Sequence, residues 1–213
     1  ARLIAWGRCD AVVTGGTESA ATVTALAGFT NMTAISSTFV SKPFDETRDG
    51  FIQGEGAAIF VLERLDLALA RGATILGEIV GAASNADAYH ITAPSPGGVG
   101  ATRCMQLALE DAGLEPSDIK QINAHGTSTP LNDKAESQAI AAVFGNDGPP
   151  VVSIKGVTGH PLGAAGALEL AAVMLSFEKK LIPPTRGTTI VDPEMSIDVV
   201  LGEPRSWEPG PTI

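Results

Sequence analysis

Apolar runs of strand length alternating with longer segments of helical periodicity predict an α/β fold with substantial parallel pairing. Three observations carry this expectation. Strand-like runs recur at Ala11–Val13, Ala57–Leu62, Ile75–Ala83, Ile119–Ala124 and Val151–Ile154. Helical patterns separate the later ones. No repeat of solenoid length and no low-complexity linker divides the chain, which therefore reads as one compact unit.

Taken in order, Ala1–Trp6 reads as a helix already under way, with no basic-then-apolar leader before it. Ala11–Val13 is a buried strand expected to end in a tight turn at Gly15-Gly16, and a small-residue helix or loop follows through Phe29. Lys42–Gly56 is dense in turn formers and charge and is expected to be a surface-reaching loop. Ala57–Leu62 is then a second buried strand, and Glu63–Arg71 a short helix stopped by Gly72.

Ile75–Ala83 reads as a third strand that leaves through the polar stretch Ser84–Pro96. After Pro96-Gly97-Gly98 a helix runs to about Asp111, with Ala101, Met105, Ala108 and Ala112 at helical spacing and Gly113 as C-cap. Ile119–Ala124 is a strand, Asp133–Phe144 a helix, Val151–Ile154 a strand, and Pro161–Phe177 a helix apolar nearly all round and so expected to be buried. The chain ends on the Pro/Gly turn Trp207–Ile213 with no closing element, and both ends read as cut.

Composition narrows the function classes. The 213 residues are 44% hydrophobic and 18% charged, without an apolar run long enough to span a bilayer. The formal charge of −10 argues against general nucleic-acid binding, which needs a concentrated basic surface. Cys9 and Cys104 show no CxxC spacing, so neither a disulfide scaffold nor a zinc ribbon is indicated, and a reducing cytoplasm fits best.

Two segments share one design: an apolar strand ends, and His or Lys appears beside Gly, Ser and Thr just before a helix. They are Ile122–Pro130 (INAHGTSTP) and Val152–Pro161 (VSIKGVTGHP). The carboxyl ends of strands in open α/β sheets are where ligands collect, which puts His125 and His160 at plausible site positions. Glycines there allow close approach, and the hydroxyls of Thr127 and Thr129 suit an extended amide-bearing ligand. Taken singly, either segment also reads as an ordinary strand-to-helix turn with capping hydroxyls.

With GGTES (Gly15–Ser19), KPFDETRDGFIQGEGA (Lys42–Ala57), DAYHIT (Asp87–Thr92), NAHGTSTPLNDKAE (Asn123–Glu136), SIKGVTGHPLGAAGALE (Ser153–Glu169) and IPPT (Ile182–Thr185), the whole chain resembles a known family. It is similar to the elongating β-ketoacyl-acyl carrier protein synthases of bacterial fatty acid synthesis, in the thiolase superfamily. The resemblance implies a thiolase-like layered αβαβα fold. Residues 1–80 would form the end of the N-terminal half and residues 81–213 a truncated C-terminal half.

The reaction it implies is a decarboxylative Claisen condensation, in which the carbanion released from malonyl-acyl carrier protein attacks an acyl group held on a cysteine. Two imidazole N–H donors would stabilise the charge on the thioester oxygen, and His125 and His160 match the family's histidines. Lys155 matches the family lysine and Glu136 the carboxylate that resembles its partner. Thr127 and Thr129 match residues that hold the phosphopantetheine arm, Thr92 a further contact to it, and Phe29 an aromatic bordering the acyl pocket. Asn123 and Glu169 match positions near a structural monovalent-cation site. No free cofactor is implied, because the arm is carried by the acyl carrier protein, and the family forms homodimers.

The resemblance places the nucleophilic cysteine before Ala1 and a glycine-rich loop with a gating phenylalanine after Ile213. Neither Cys9 nor Cys104 matches the nucleophile, so the chain alone is expected to be inactive. Thr30–Val40 lacks the arginine that relatives use for carrier docking, which moves the docking patch elsewhere. His90 reads as a loop histidine. Two alternatives stay open: a non-catalytic chain-length-factor-like partner and a ketosynthase of a polyketide pathway.

Overall fold

A computed structural model describes residues 1–213. After a one-turn helix, α1 (Arg2–Ala5), strand β1 (Ala11–Glu18) pairs antiparallel with β2 (Gly56–Glu63), from Ala11 opposite Glu63 to Glu18 opposite Gly56. The expected turn at Gly15-Gly16 is continuous strand instead. The reason is packing: a Cβ on Gly16 would stand 2.7 Å from the Gly163 carbonyl oxygen, so only glycine lets the strand lie this close to the segment Leu162–Ala164. Nor are these strands buried on both faces, because Val13, Ile59 and Val61 are exposed while alternate residues turn inward. Between the strands runs α2 (Val23–Asn31), capped by the Thr22 hydroxyl, which accepts from Ala25 N at 3.3 Å.

Helix α3 (Leu65–Ala70) follows β2. Ile75–Ala83 then runs without a ladder partner, contrary to the strand expected there. Its apolar residues are used against helices. A Cβ on Gly77 would stand 3.0 Å from Met174 Sδ in α7 (Ala165–Lys179), and one on Gly81 would stand 2.6 Å from the Ala108 carbonyl in α4 (Val99–Ala112).

The parallel pairing lies in the second part. Strand β3 (Ile122–Asn123) pairs with β4 (Val151–Val152), Ile122 opposite Val151, across the crossover helix α5 (Pro130–Phe144). Ile122, Ala124 and Val151 face Leu109, Ile140, Met195 and Val199 in the main core. On the other face Val152 meets Ile182, Val200 and Trp207. The short helix α6 (Lys155–Thr158) follows β4, and β5 (Leu181–Ile182) with β6 (Arg205–Ser206) closes an antiparallel pair beside α7. Helix α7 is not buried all round: Ala165, Val173 and Ser176 form its buried stripe, and Leu175 is exposed.

Lys42–Gly56 departs furthest from expectation. It is not a surface loop, since Phe44, Asp45 and Phe51 are all buried. Its charges can go inside because each is met. Arg48 pairs with Asp192 at 2.6 Å. Asp49 accepts from Ser36, Ser37 and Thr38. Burial pushes the Asp45 carboxyl up, but hydrogen bonds from Thr189, Thr47 and Ile190 outweigh it and hold the group at about 2. Phe44 is fully buried at φ 66°. A bulky residue in that region costs on the order of 1–3 kcal/mol, against roughly 1.5–3 kcal/mol from burying the ring. The two nearly cancel, so the bond from Phe44 N to Asp133 Oδ2 at 2.7 Å tips the balance.

Candidate active site

The first histidine turn is shaped by two carboxylates from α5. Glu136 accepts from the backbone N–H of His125 at 2.6 Å and of Gly126 at 2.7 Å, and Asn132 Nδ2 adds a third bond. Asp133, fully buried, accepts from Thr127 N at 2.9 Å and from Ser128 N at 3.1 Å, as well as from Phe44. These bonds hold Ser128 at φ 69° and satisfy N–H donors that lie ahead of the helix and have no helical partners. The Thr127 and Thr129 hydroxyls lie 2.7 Å apart beside this turn.

The second histidine is held by the chain itself. His160 N donates to the Ile52 carbonyl at 2.6 Å, and Gly54 N donates to the His160 carbonyl at 3.0 Å. Gly159 adopts φ 66°, and a Cβ there would stand 2.7 Å from the Ile52 oxygen, so the approach requires glycine. The imidazoles of His125 and His160 meet edge to face with centroids 5.1 Å apart. Phe51 lies 5.1 Å from His160, and Phe29 of α2 lies 5.3 Å from Phe51.

Lys155 is completely buried between them. Its Nζ donates to a Glu169 carboxylate oxygen, to the His125 carbonyl at 2.5 Å, and to His125 Nδ1 at 3.3 Å. An ammonium only donates, so His125 Nδ1 is the bare nitrogen and the ring proton is on Nε2. His160 Nδ1 accepts from Leu162 N at 3.3 Å, which places its proton on Nε2 as well. Burial and then the Lys155 charge, with His160 adding to it only where that ring is itself protonated, push His125 down to about 3; burial and then Lys155 push His160 down to about 4. His125 as a whole residue remains exposed to solvent, which moderates the effect of burial and makes the Lys155 charge the firmer cause. Both rings are neutral at pH 7.

The carboxylate partner of Lys155 is therefore Glu169 of α7, not Glu136 as expected. Burial first, and the neighbouring Asp133 charge, push Glu136 up to about 7 against its backbone bonds. Asn123 Nδ2 reaches the Glu169 carbonyl at 3.4 Å, and Asn123 Oδ1 is buried without a partner. Thr92 stands on an exposed loop, its N–H donating to His90 Nδ1 at 3.1 Å, and it makes no bond to His125 or His160. Cys9 precedes β1 and Cys104 lies within α4, neither in the turns that carry the histidines. Sequence reasoning missed Asp133 and Phe51. An acidic residue in the first turn of the helix after HGTST was the signal for Asp133, and an aromatic facing the glycines of GFIQGEG was the signal for Phe51.

Two neutral imidazoles with free Nε2–H groups, backed by a buried ammonium on an α/β frame, form a site able to donate two hydrogen bonds to a developing anion. Residues 1–68 match the family described as beta-ketoacyl synthase, N-terminal domain, and residues 76–189 match beta-ketoacyl synthase, C-terminal domain. The chain belongs to the β-ketoacyl synthase family.

It is 46% identical over 212 residues to 3-oxoacyl-[acyl-carrier-protein] synthase 2 of Synechocystis sp., covering 96% of this chain and 51% of that protein. Its fold superposes on a beta-ketoacyl synthase from Burkholderia phymatum with a TM-score of 0.92 and 43% identity, over 96% of this chain and 51% of that one. The ketosynthase AntDE, solved with its type II polyketide acyl-carrier protein AntF, superposes at 0.93 with 36% identity, over 97% of this chain and 52% of that one. The chain thus spans about half the length of its curated relatives.

Proposed function

We propose that the chain supplies the enolate-stabilising half of a 3-oxoacyl-[acyl-carrier-protein] synthase that elongates fatty acids. The carrying observation is the pair of imidazoles 5.1 Å apart, each with Nδ1 occupied and Nε2–H free. When malonyl thioester loses carbon dioxide, the electron pair of the breaking C–C bond moves onto the thioester oxygen. Nε2–H of His125 and of His160 donate to that oxygen. The carbanion then attacks the acyl thioester carbon, forming the new C–C bond and releasing the cysteine thiolate. Neutral rings suit this role, because each donates without itself surrendering a proton.

Lys155 holds the His125 tautomer and its charge keeps both rings neutral, and Glu136 fixes the turn that aims His125. Thr127 and Thr129 border the turn where a phosphopantetheine arm would lie, Thr92 offers a weaker contact to it, and Phe29 lines the acyl side. Residues 1–80 bring the Phe29 wall and residues 81–213 the histidines. The buried, unpartnered Asn123 Oδ1 is the neutral oxygen that suits a monovalent cation, and Asn123 and Glu169 would lie beside one held as a structural ion.

The partners of the reading are acyl- and malonyl-loaded acyl carrier protein and a second copy in a homodimer. It needs no free cofactor, and its compartment is the cytoplasm. No helix is long and apolar enough to cross a membrane.

The test uses a synthase of full family length carrying these residues. His125→Ala and His160→Ala should each abolish malonyl decarboxylation while acylation of the nucleophile persists; decarboxylation surviving both changes refutes the assignment.

A further inference from the structure

The segment that holds His160 also grips a helix on the acyl side. Gln53 forms a parallel bridge with His160 through the backbone. Its side-chain Nε2 donates to the carbonyl of Ala20, in the turn that leads from β1 into α2. Two residues on, and on the same side of the extended segment, Glu55 Oε1 accepts from Ser19 Oγ at 3.0 Å and from Ala21 N at 3.1 Å. At the far end of α2, Phe29 meets Phe51, whose ring also lies on His160. Helix α2 is thus tied to the His160 segment at both ends, by polar bonds where it begins and by aromatic rings near where it stops.

Of the polar ties, Gln53 is the one that burial makes specific. The Glu55 contacts are exposed and compete with water. The Gln53 contact is part-buried, and its Oε1 is buried with no protein partner. An amide that leaves its oxygen unsatisfied is a poor choice for stability, because a methionine or leucine of similar size would carry no orphaned atom. What the amide alone provides is the bond to Ala20, which sets the register of α2 against His160.

We propose that Gln53 is a positioning residue for the acyl side of the site: by fixing the start of α2 it sets where Phe29 stands relative to His160, and so which acyl groups are accepted. The inference rests on the condensing-enzyme reading above.

The test compares Gln53→Met, which keeps length and volume, with Gln53→Glu, which turns an acceptor toward the Ala20 carbonyl, in the full-length synthase. Acyl transfer to the nucleophile is measured across short and long acyl donors, beside malonyl decarboxylation. The expected result is a rise of about fivefold in acyl-donor KM for Gln53→Met and a larger one for Gln53→Glu, with a changed ratio of long to short donors. Decarboxylation should stay within about twofold of the parent. A parallel fall in both half-reactions, or no change in either, overturns the proposal, since general loosening moves both and an idle residue moves neither. Its failure is separable from failure of the parent reading, which is decided by decarboxylation in the His125 and His160 variants.

Discussion

Lys155→Met removes an ammonium that makes three contacts at once. Its loss strands the Glu169 carboxylate, whose side chain is only 18% exposed, so that charge loses its partner largely out of water. Breaking a buried pair from one side costs about 3–5 kcal/mol, and the residual exposure of Glu169 puts this case near the lower figure, about 3 kcal/mol. The same change frees His125 Nδ1 and withdraws a charge that depresses both rings, so both histidine pKa values should rise while burial still holds them under the ordinary value. A misoriented donor is equivalent to losing one arm of the oxyanion site, a fall of roughly 10²–10³ in decarboxylation rate. Denaturant unfolding and the decarboxylation rate of the full-length variant measure the two effects. A variant of parental stability that decarboxylates at the parental rate would refute the assignment of Lys155 as the group that orders the histidines.

Further outcomes follow from the same geometry. Glu136 has a folded-state value of about 7, raised above its unfolded value, so it contributes stability below the unfolded carboxylate range that is lost as pH rises through about 7. Unfolding free energies of Glu136→Gln minus parent should therefore increase from pH 5 to pH 8 by on the order of 2 kcal/mol, and a flat difference would contradict the raised value. The histidines act oppositely: values held at about 3 and about 4 give stability present above pH 6.5 and lost as pH falls toward them. Gly54→Ala would place a Cβ 2.1 Å from the Thr158 carbonyl, forcing the His160 segment away. It should cost about 1–3 kcal/mol by denaturant unfolding and lower decarboxylation more than acylation, whereas parental decarboxylation would show that the backbone bridge does not aim His160.

Much of the site was legible because its chemistry is local. His125, Lys155 and His160 fall at the ends of short apolar runs, and strand-to-helix turns bring such ends together in an α/β frame. What the pattern did not show was tertiary. Gly15-Gly16 punctuates a sequence like a turn, yet it continues β1 because a helix lies against it. Lys42–Gly56 has the charge of a surface loop, and only the distant partners Asp133, Thr189 and Asp192 allow it to be buried. Ile75–Ala83 is apolar enough for a strand, but its neighbours are helices. The exchange of Glu136 for Glu169 as the Lys155 partner has the same origin. Both carboxylates stand on helices that follow a histidine turn, and spacing along the chain does not say which one faces the ammonium.

The central claim is that His125 and His160 are neutral at working pH and both carry the proton on Nε2. Long-range ¹H–¹⁵N correlation spectra of the histidine side chains in the full-length synthase report protonation state and tautomer directly. At pH 7 both rings should show the neutral Nε2–H pattern, unchanged on acidification until about pH 5. An imidazolium, or an Nδ1–H tautomer at either residue, would contradict the account.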